Sequence, residues 1–207
     1  MNVRCAATCI VATMVFVTAC AATEPRVALV DSWPTQAPSY DAAYKTWTHH
    51  AELHDDYQQV IIVDATLHAP AWRMANVTRA RDQANQNDAD YAKALADTKA
   101  DAAAHHRISL VVTTWDRREN NLTRGAQAAW HLTLSDDAGH SWTPTSIVQD
   151  RRSEHVLRAD YPTLRDFSAV YIATFDGSTK LLGNGAKNIT LRVYGGRGAV
   201  DVHWRAP

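Results

Sequence analysis

The stretch Ile189-Thr190-Leu191-Arg192-Val193-Tyr194-Gly195-Gly196-Arg197-Gly198-Ala199-Val200-Asp201-Val202-His203-Trp204 carries apolar side chains at every second position on both sides of a glycine-rich break. Successive side chains of a strand point to opposite faces, so this period of two predicts a β-hairpin with Ile189, Leu191 and Val193 paired with Val200, Val202 and Trp204 on one buried face. Glycine at 195, 196 and 198 supplies the positive φ a tight turn needs, and a strand on each side leaves no helix to make the run a phosphate loop.

The same period extends upstream as far as Arg107. Ile108, Leu110 and Val112 form one inward row, and Ala128, Trp130, Leu132 and Leu134 form the next. Asp136-Asp137-Ala138-Gly139 reads as a turn with Trp142 opening the return strand, Val156 and Leu157 as a weaker strand, and Phe167, Ala169, Tyr171, Ala173 and Phe175 as another. Gln58 to Leu67 is rich in β-branched residues and predicts an earlier strand. Between these strands the period changes. Pro70 suits the first turn of a helix, Asn85-Gln86-Asn87 a connection, and Asp88 to Ala104 a second helix capped by Asp88. His105, His106 and Arg107 then oppose the negative end of that helix. A further helix is expected from about Ser39 to Tyr57, with Ser39 or Asp41 as its cap.

Short strands at this spacing predict a mainly β chain: an antiparallel, immunoglobulin-like β-sandwich with an N-terminal helix and a helical-hairpin insertion, at about 70–106, between the first two strands. No room remains after Arg107 for the crossover helices of a doubly wound α/β sheet.

The amino terminus tells of address. Arg4 precedes an apolar run from Cys5 to Val17, too short for a permanent bilayer-spanning helix, which ends in Val17-Thr18-Ala19-Cys20. This segment resembles the bacterial lipoprotein signal, whose lipobox places an aliphatic residue, two small residues and a lipid-accepting cysteine in that order. The resemblance implies that residues 1–19 are a signal peptide, that Cys20 becomes the lipidated first residue, and that 20–38 tethers a domain spanning 39–207. Ala19-Cys20-Ala21 also fits ordinary small-residue cleavage. The later chain resembles lipoproteins of Gram-negative bacteria that follow a lipobox with an immunoglobulin-like sandwich. The matching features are Trp130 to Leu134, Asp137-Ala138-Gly139, Tyr161-Pro162 and Val202-His203-Trp204. Ala21 after Cys20 implies sorting to the outer membrane. Part of the tether has reason to pack on the domain, because Val27, Leu29, Val30 and Trp33 gain nothing in a free leash.

The 207-residue chain has 21 basic and 22 acidic residues, and only Arg4 would leave with the signal, so the mature chain has 20 against 22, a net of −2. That balance, with basic residues paired rather than clustered, argues against nucleic acid as a partner. Cys5, Cys9 and Cys20 are the only cysteines, so the domain has no thiol for a disulfide or a nucleophile.

Chemistry is sparse. His50 and His54, four apart, would share a face of the expected helix and could hold a divalent metal if a third ligand such as His68 or His106 joined them. The pattern lacks the His-Glu-x-x-His order of metalloproteases. No Gly-x-Ser-x-Gly elbow is present, and Gly183 to Asn188 lacks the third glycine of a dinucleotide loop. No cofactor is expected. The sequence therefore points to a non-catalytic envelope lipoprotein, attached to the membrane through lipid on Cys20, that binds an envelope protein or a cell-wall component. The alternative is a metal-binding or metal-dependent hydrolytic domain.

Overall fold

A computed structural model describes residues 25–207. Cys20 and the expected signal segment lie outside the described residues. Among those residues nine strands form two antiparallel sheets, accompanied by four α-helices and two short 3-10 turns. The expected pair of antiparallel sheets is present, with more helix than a mainly β reading allows.

Helix α1 (Tyr40–Trp47) starts at Ser39, whose hydroxyl accepts from the Ala42 amide at 3.3 Å. The expected helix to Tyr57 ends ten residues early. From Thr48 the chain is strand β1 (Thr48–Asp55), hairpinned to β2 (Gln58–Leu67) through Asp56 at φ +52. The physical reason is β2 itself: its β-branched run needs an antiparallel partner for its backbone groups, and residues 48–55 supply the ladder.

Helices α2 (Pro70–Ala84) and α3 (Asp88–Ala104) form the expected hairpin, with Pro70 in the first turn and Asn85 left-handed at φ +47. The cap of α3 is Asn87 rather than Asp88, its side chain accepting from the Asp90 amide at 2.9 Å. The hairpin stands between the second and third strands, not the first two, because residues 48–55 form strand β1 ahead of β2 where a helix is expected. Strand β3 (His105–Thr114) follows at once, so His105 both ends α3 and opens a strand.

After β3 come β4 (Trp130–Asp136), β5 (Ser141–Trp142), β6 (Ser146–Asp150), α4 (Glu154–Asp160), β7 (Ala169–Asp176), β8 (Asn188–Gly195) and β9 (Gly198–Arg205). Val156 and Leu157, expected on a strand, lie on α4. The β4–β5 turn places Gly139 at φ +93, as its composition requires. The β8–β9 hairpin has the expected register, Ile189 opposite Trp204, Leu191 opposite Val202 and Val193 opposite Val200.

The five-stranded sheet runs β1-β2-β3-β7-β6 and the four-stranded sheet β5-β4-β8-β9. One core joins them, with Leu110, Leu134, Phe175 and Trp204 fully enclosed. The sheets meet along β1 and β9, where Trp204 Nε1 donates to the Trp47 carbonyl at 2.9 Å and His49 bonds the His203 carbonyl. Both faces of β2 are buried from Val60 to Leu67, so this sheet is covered on one side by its partner sheet and on the other by helices.

Residues 26 onward are not a free tether. Arg26 makes a parallel bridge to Arg205 on edge strand β9, the Val27 amide donates to the Arg205 carbonyl at 2.8 Å, and Val27 and Leu29 are buried. This cover also protects an edge that would otherwise offer unpaired backbone groups.

Candidate functional site

The histidines do not gather. His50 lies on edge strand β1, its Nδ1 2.8 Å from Oδ1 of the buried Asp64, which also receives Arg165 Nη1 at 2.6 Å. Residues four apart on a strand are separated by roughly 13 Å, and a bulge between Leu53 and His54 further breaks the alternation, so His50 and His54 cannot share an ion. His106 donates from Nε2 to the Thr179 carbonyl at 2.8 Å. His68 pairs through Nε2 with Ser109 Oγ at 2.7 Å and stacks on Trp72 with ring centres 3.9 Å apart. Among the described residues no group of three His, Cys, Asp or Glu side chains converges.

The Ser109–His68 pair is not a nucleophile site. Ser109 is buried, with Tyr161 OH 3.5 Å away on its other side, and no substrate carbonyl can reach its Oγ. Desolvation, aided by the Arg73 and Arg107 charges, pushes the His68 pKa well below its usual range, so the ring is neutral at pH 7.

Beside His68 the structure opens a cleft of about 500 Å³. Four parts of the chain wall it: the covering segment at Asp31 and Trp33, the β2–α2 junction at His68 and Arg73, the end of α3 with the start of β3, and the loop after β7. Each wall has a local cause. The covering segment is held by the Gly183 amide on the Leu29 carbonyl at 3.0 Å and by Lys180 Nζ on Asp31 Oδ2 at 2.9 Å. The loop after β7 reaches α3 because Gly177 has no side chain: a Cβ there would stand 2.6 Å from the Ala104 carbonyl carbon and oxygen, and its amide donates to that oxygen at 3.0 Å.

The floor is ionic. Arg73, 5% exposed, donates from Nη1 to Asp101 Oδ2 at 2.5 Å, from Nε to the His68 carbonyl at 2.8 Å and from Nη2 to the His105 carbonyl at 3.1 Å. Arg107 Nη2 takes the other oxygen of Asp101 at 2.6 Å. Burial raises the Asp101 pKa, but the Arg73 bond and the charges of Arg73, Arg107 and His105 outweigh it and hold the carboxyl below its usual range. The His106 pKa is lowered, chiefly by burial, with the Thr179 carbonyl opposing.

Among the lining side chains and their direct partners, cations exceed anions. Asp101 serves two guanidinium groups, Asp31 serves Lys180, and Lys99 has no carboxylate partner among the described residues, its Nζ standing 5.4 Å from the centre of the Trp33 ring. Arg107 Nε is buried with no hydrogen bond. His105 Nδ1 is 3.3 Å from Asp101 Oδ1 yet not aligned to bond it. Such a site can attract an anion and seat an aromatic or aliphatic body against Trp33.

Of the residues singled out in the sequence, His68 and His106 line this cleft, while His50 and His54 lie elsewhere. Trp33 and Arg107 stand out in the sequence only as a packing residue and a helix-end charge, and Arg73, Lys99 and Lys180 do not stand out at all. One signal was present: folding the helical hairpin about Asn85–Asn87 sets Arg81 by Asp88 and Arg73 by Asp101, matched charges at both ends.

Comparison with protein-family models, with curated proteins and with solved structures found no match to this chain.

Proposed function

We propose that the chain is an exported, lipid-anchored envelope lipoprotein of the outer membrane, and that its immunoglobulin-like sandwich is a non-catalytic binding module whose ligand site is the cleft at Trp33, Arg73 and Arg107. Two antiparallel sheets with alternating inward rows support the sandwich reading, with the helices as an added layer on the outer face of the larger sheet. The observation that carries the proposal is the origin of the cleft wall. The segment following Cys20 is the one that docks on β9 and supplies Asp31 and Trp33.

Anchor and site are therefore linked. Six residues from Cys20 to Arg26 reach at most about 20 Å, so lipid on Cys20 turns the Arg205 end of the sandwich, with the cleft, toward the bilayer. Several acyl chains on one residue anchor firmly, since each buried methylene contributes about 0.8 kcal/mol. A binding module fits the chemistry better than an enzyme, because among the described residues the one Ser–His contact is sealed and no acid–base pair faces the cleft without a structural partner.

The test is the mature product from a Gram-negative host. The wild-type chain should partition into detergent and exceed the mass of residues 20–207 by its acyl groups, and Cys20→Ala should do neither. Identical mass and partitioning for the two would contradict the proposal.

A further inference from the structure

We infer that the cleft binds an anionic group, a phosphate or carboxylate carried on an apolar body, with Arg107 and Lys99 holding the charge and Trp33 and Leu182 flanking the body. This deepens the reading of the cleft as a binding site and rests on it.

The cations of the cleft differ in what each already binds. Arg73 spends Nε, Nη1 and Nη2 on the His68 carbonyl, Asp101 and the His105 carbonyl, so it is scaffold. Lys180 is answered by Asp31. Arg107 differs: of its guanidinium only Nη2 is bonded, to Asp101, and the side chain is 38% exposed. Its exposed N–H groups are left for an anion, which a guanidinium holds in a charge-assisted bond.

Lys99 is the second half of the receptor. It projects from the last turns of α3 into the same cleft, is exposed, and meets the Trp33 face rather than a carboxylate. A cation over an aromatic face is a weak partnership that an anion outcompetes, and its displacement would free the Trp33 ring to cover the ligand body. Phosphate and carboxylate share this recognition chemistry, and the site's place near the expected bilayer makes either a phospholipid headgroup or a free anion able to supply it.

The experiment is calorimetric titration of the purified chain with inorganic phosphate, then with vesicles of phosphatidylglycerol and of phosphatidylcholine, and with neutral dansylamide as a probe of the apolar walls. Phosphate should bind with a dissociation constant of about 1 mM or tighter, weakened roughly tenfold by Lys99→Met and by Arg107→Gln. Lys93→Met, on the same helix but ion-paired to Asp97, should leave binding unchanged. Lys99 carries no fold-supporting ion pair, so its variant keeps the test valid even if Arg107→Gln unfolds. Binding to phosphatidylglycerol vesicles beyond phosphatidylcholine assigns the anion to a headgroup, and phosphate binding without that preference assigns it to a free ligand. A cleft that takes dansylamide but not phosphate overturns the anion assignment alone. A cleft that takes neither overturns the site as well.

Discussion

Arg73 and Asp101 stand 28 residues apart in the chain and 2.5 Å apart across the helical hairpin, and that contact ties α2, α3 and the start of β3 into one block. Because Asp101 also holds Arg107, one carboxylate sets the position of a scaffold cation and a ligand-facing cation together.

Arg73→Met should therefore destabilise the chain by about 3 kcal/mol, the low end for breaking a buried pair, since Arg107 remains to answer Asp101. Adding Asp101→Asn should lower stability further, because it also takes the carboxylate partner from Arg107. Urea midpoints for the two variants check both statements.

Gly177→Ala places a Cβ against the backbone of Ala104, which cannot rotate away, and should cost about 1–3 kcal/mol. Gly196→Ala meets nothing within 4 Å and should be near neutral. Thermal unfolding of the pair separates contact from loss of glycine as such.

Stability should fall on acidification in two windows. Folded His68 resists a proton that the unfolded chain accepts near pH 6.5, so its contribution is present above pH 6.5 and declines as pH drops below it. The Asp101 carboxyl is held below its ordinary 3.8, so its contribution is present above that value and is lost as pH falls through the lower folded value. Each group can give a slope of up to about 1.4 kcal/mol per pH unit. Denaturant midpoints across pH check this, and His68→Gln should shrink the upper window to the share left by His106, whose pKa burial also lowers, without changing the lower one.

Val27→Asp should undock the covering segment without unfolding the sheets, because Val27 is buried while its segment joins β9 through the single Arg26–Arg205 bridge. Limited proteolysis should then cut between residues 26 and 38 while the remainder resists, and dansylamide binding should weaken with the loss of the Trp33 wall.

The elements legible in the sequence are those whose partners are close by. The β8–β9 hairpin and the 136–139 turn declare themselves through alternation and glycine, and the α2–α3 hairpin through Pro70 and the Asn85–Asn87 break. β1 was not legible, since Tyr40, Tyr44 and Trp47 carry a helical spacing that runs into it, and only pairing with β2 makes residues 48–55 a strand. Val156-Leu157 is too short an apolar run to choose between periods, and edge strand β6 (Ser146–Asp150) takes its form from β7, with Val148 exposed. The cleft was invisible because its walls come from four separated segments. Only the Arg73–Asp101 match could have been read from the chain.

The most direct test of the account is amide and indole chemical-shift mapping of the chain titrated with inorganic phosphate. Shifts should concentrate on the Trp33 indole, His105, Arg107 and the last turn of α3. Shifts confined to the opposite end of the sandwich, around Trp115 and Phe167, or no shifts at all, would contradict it.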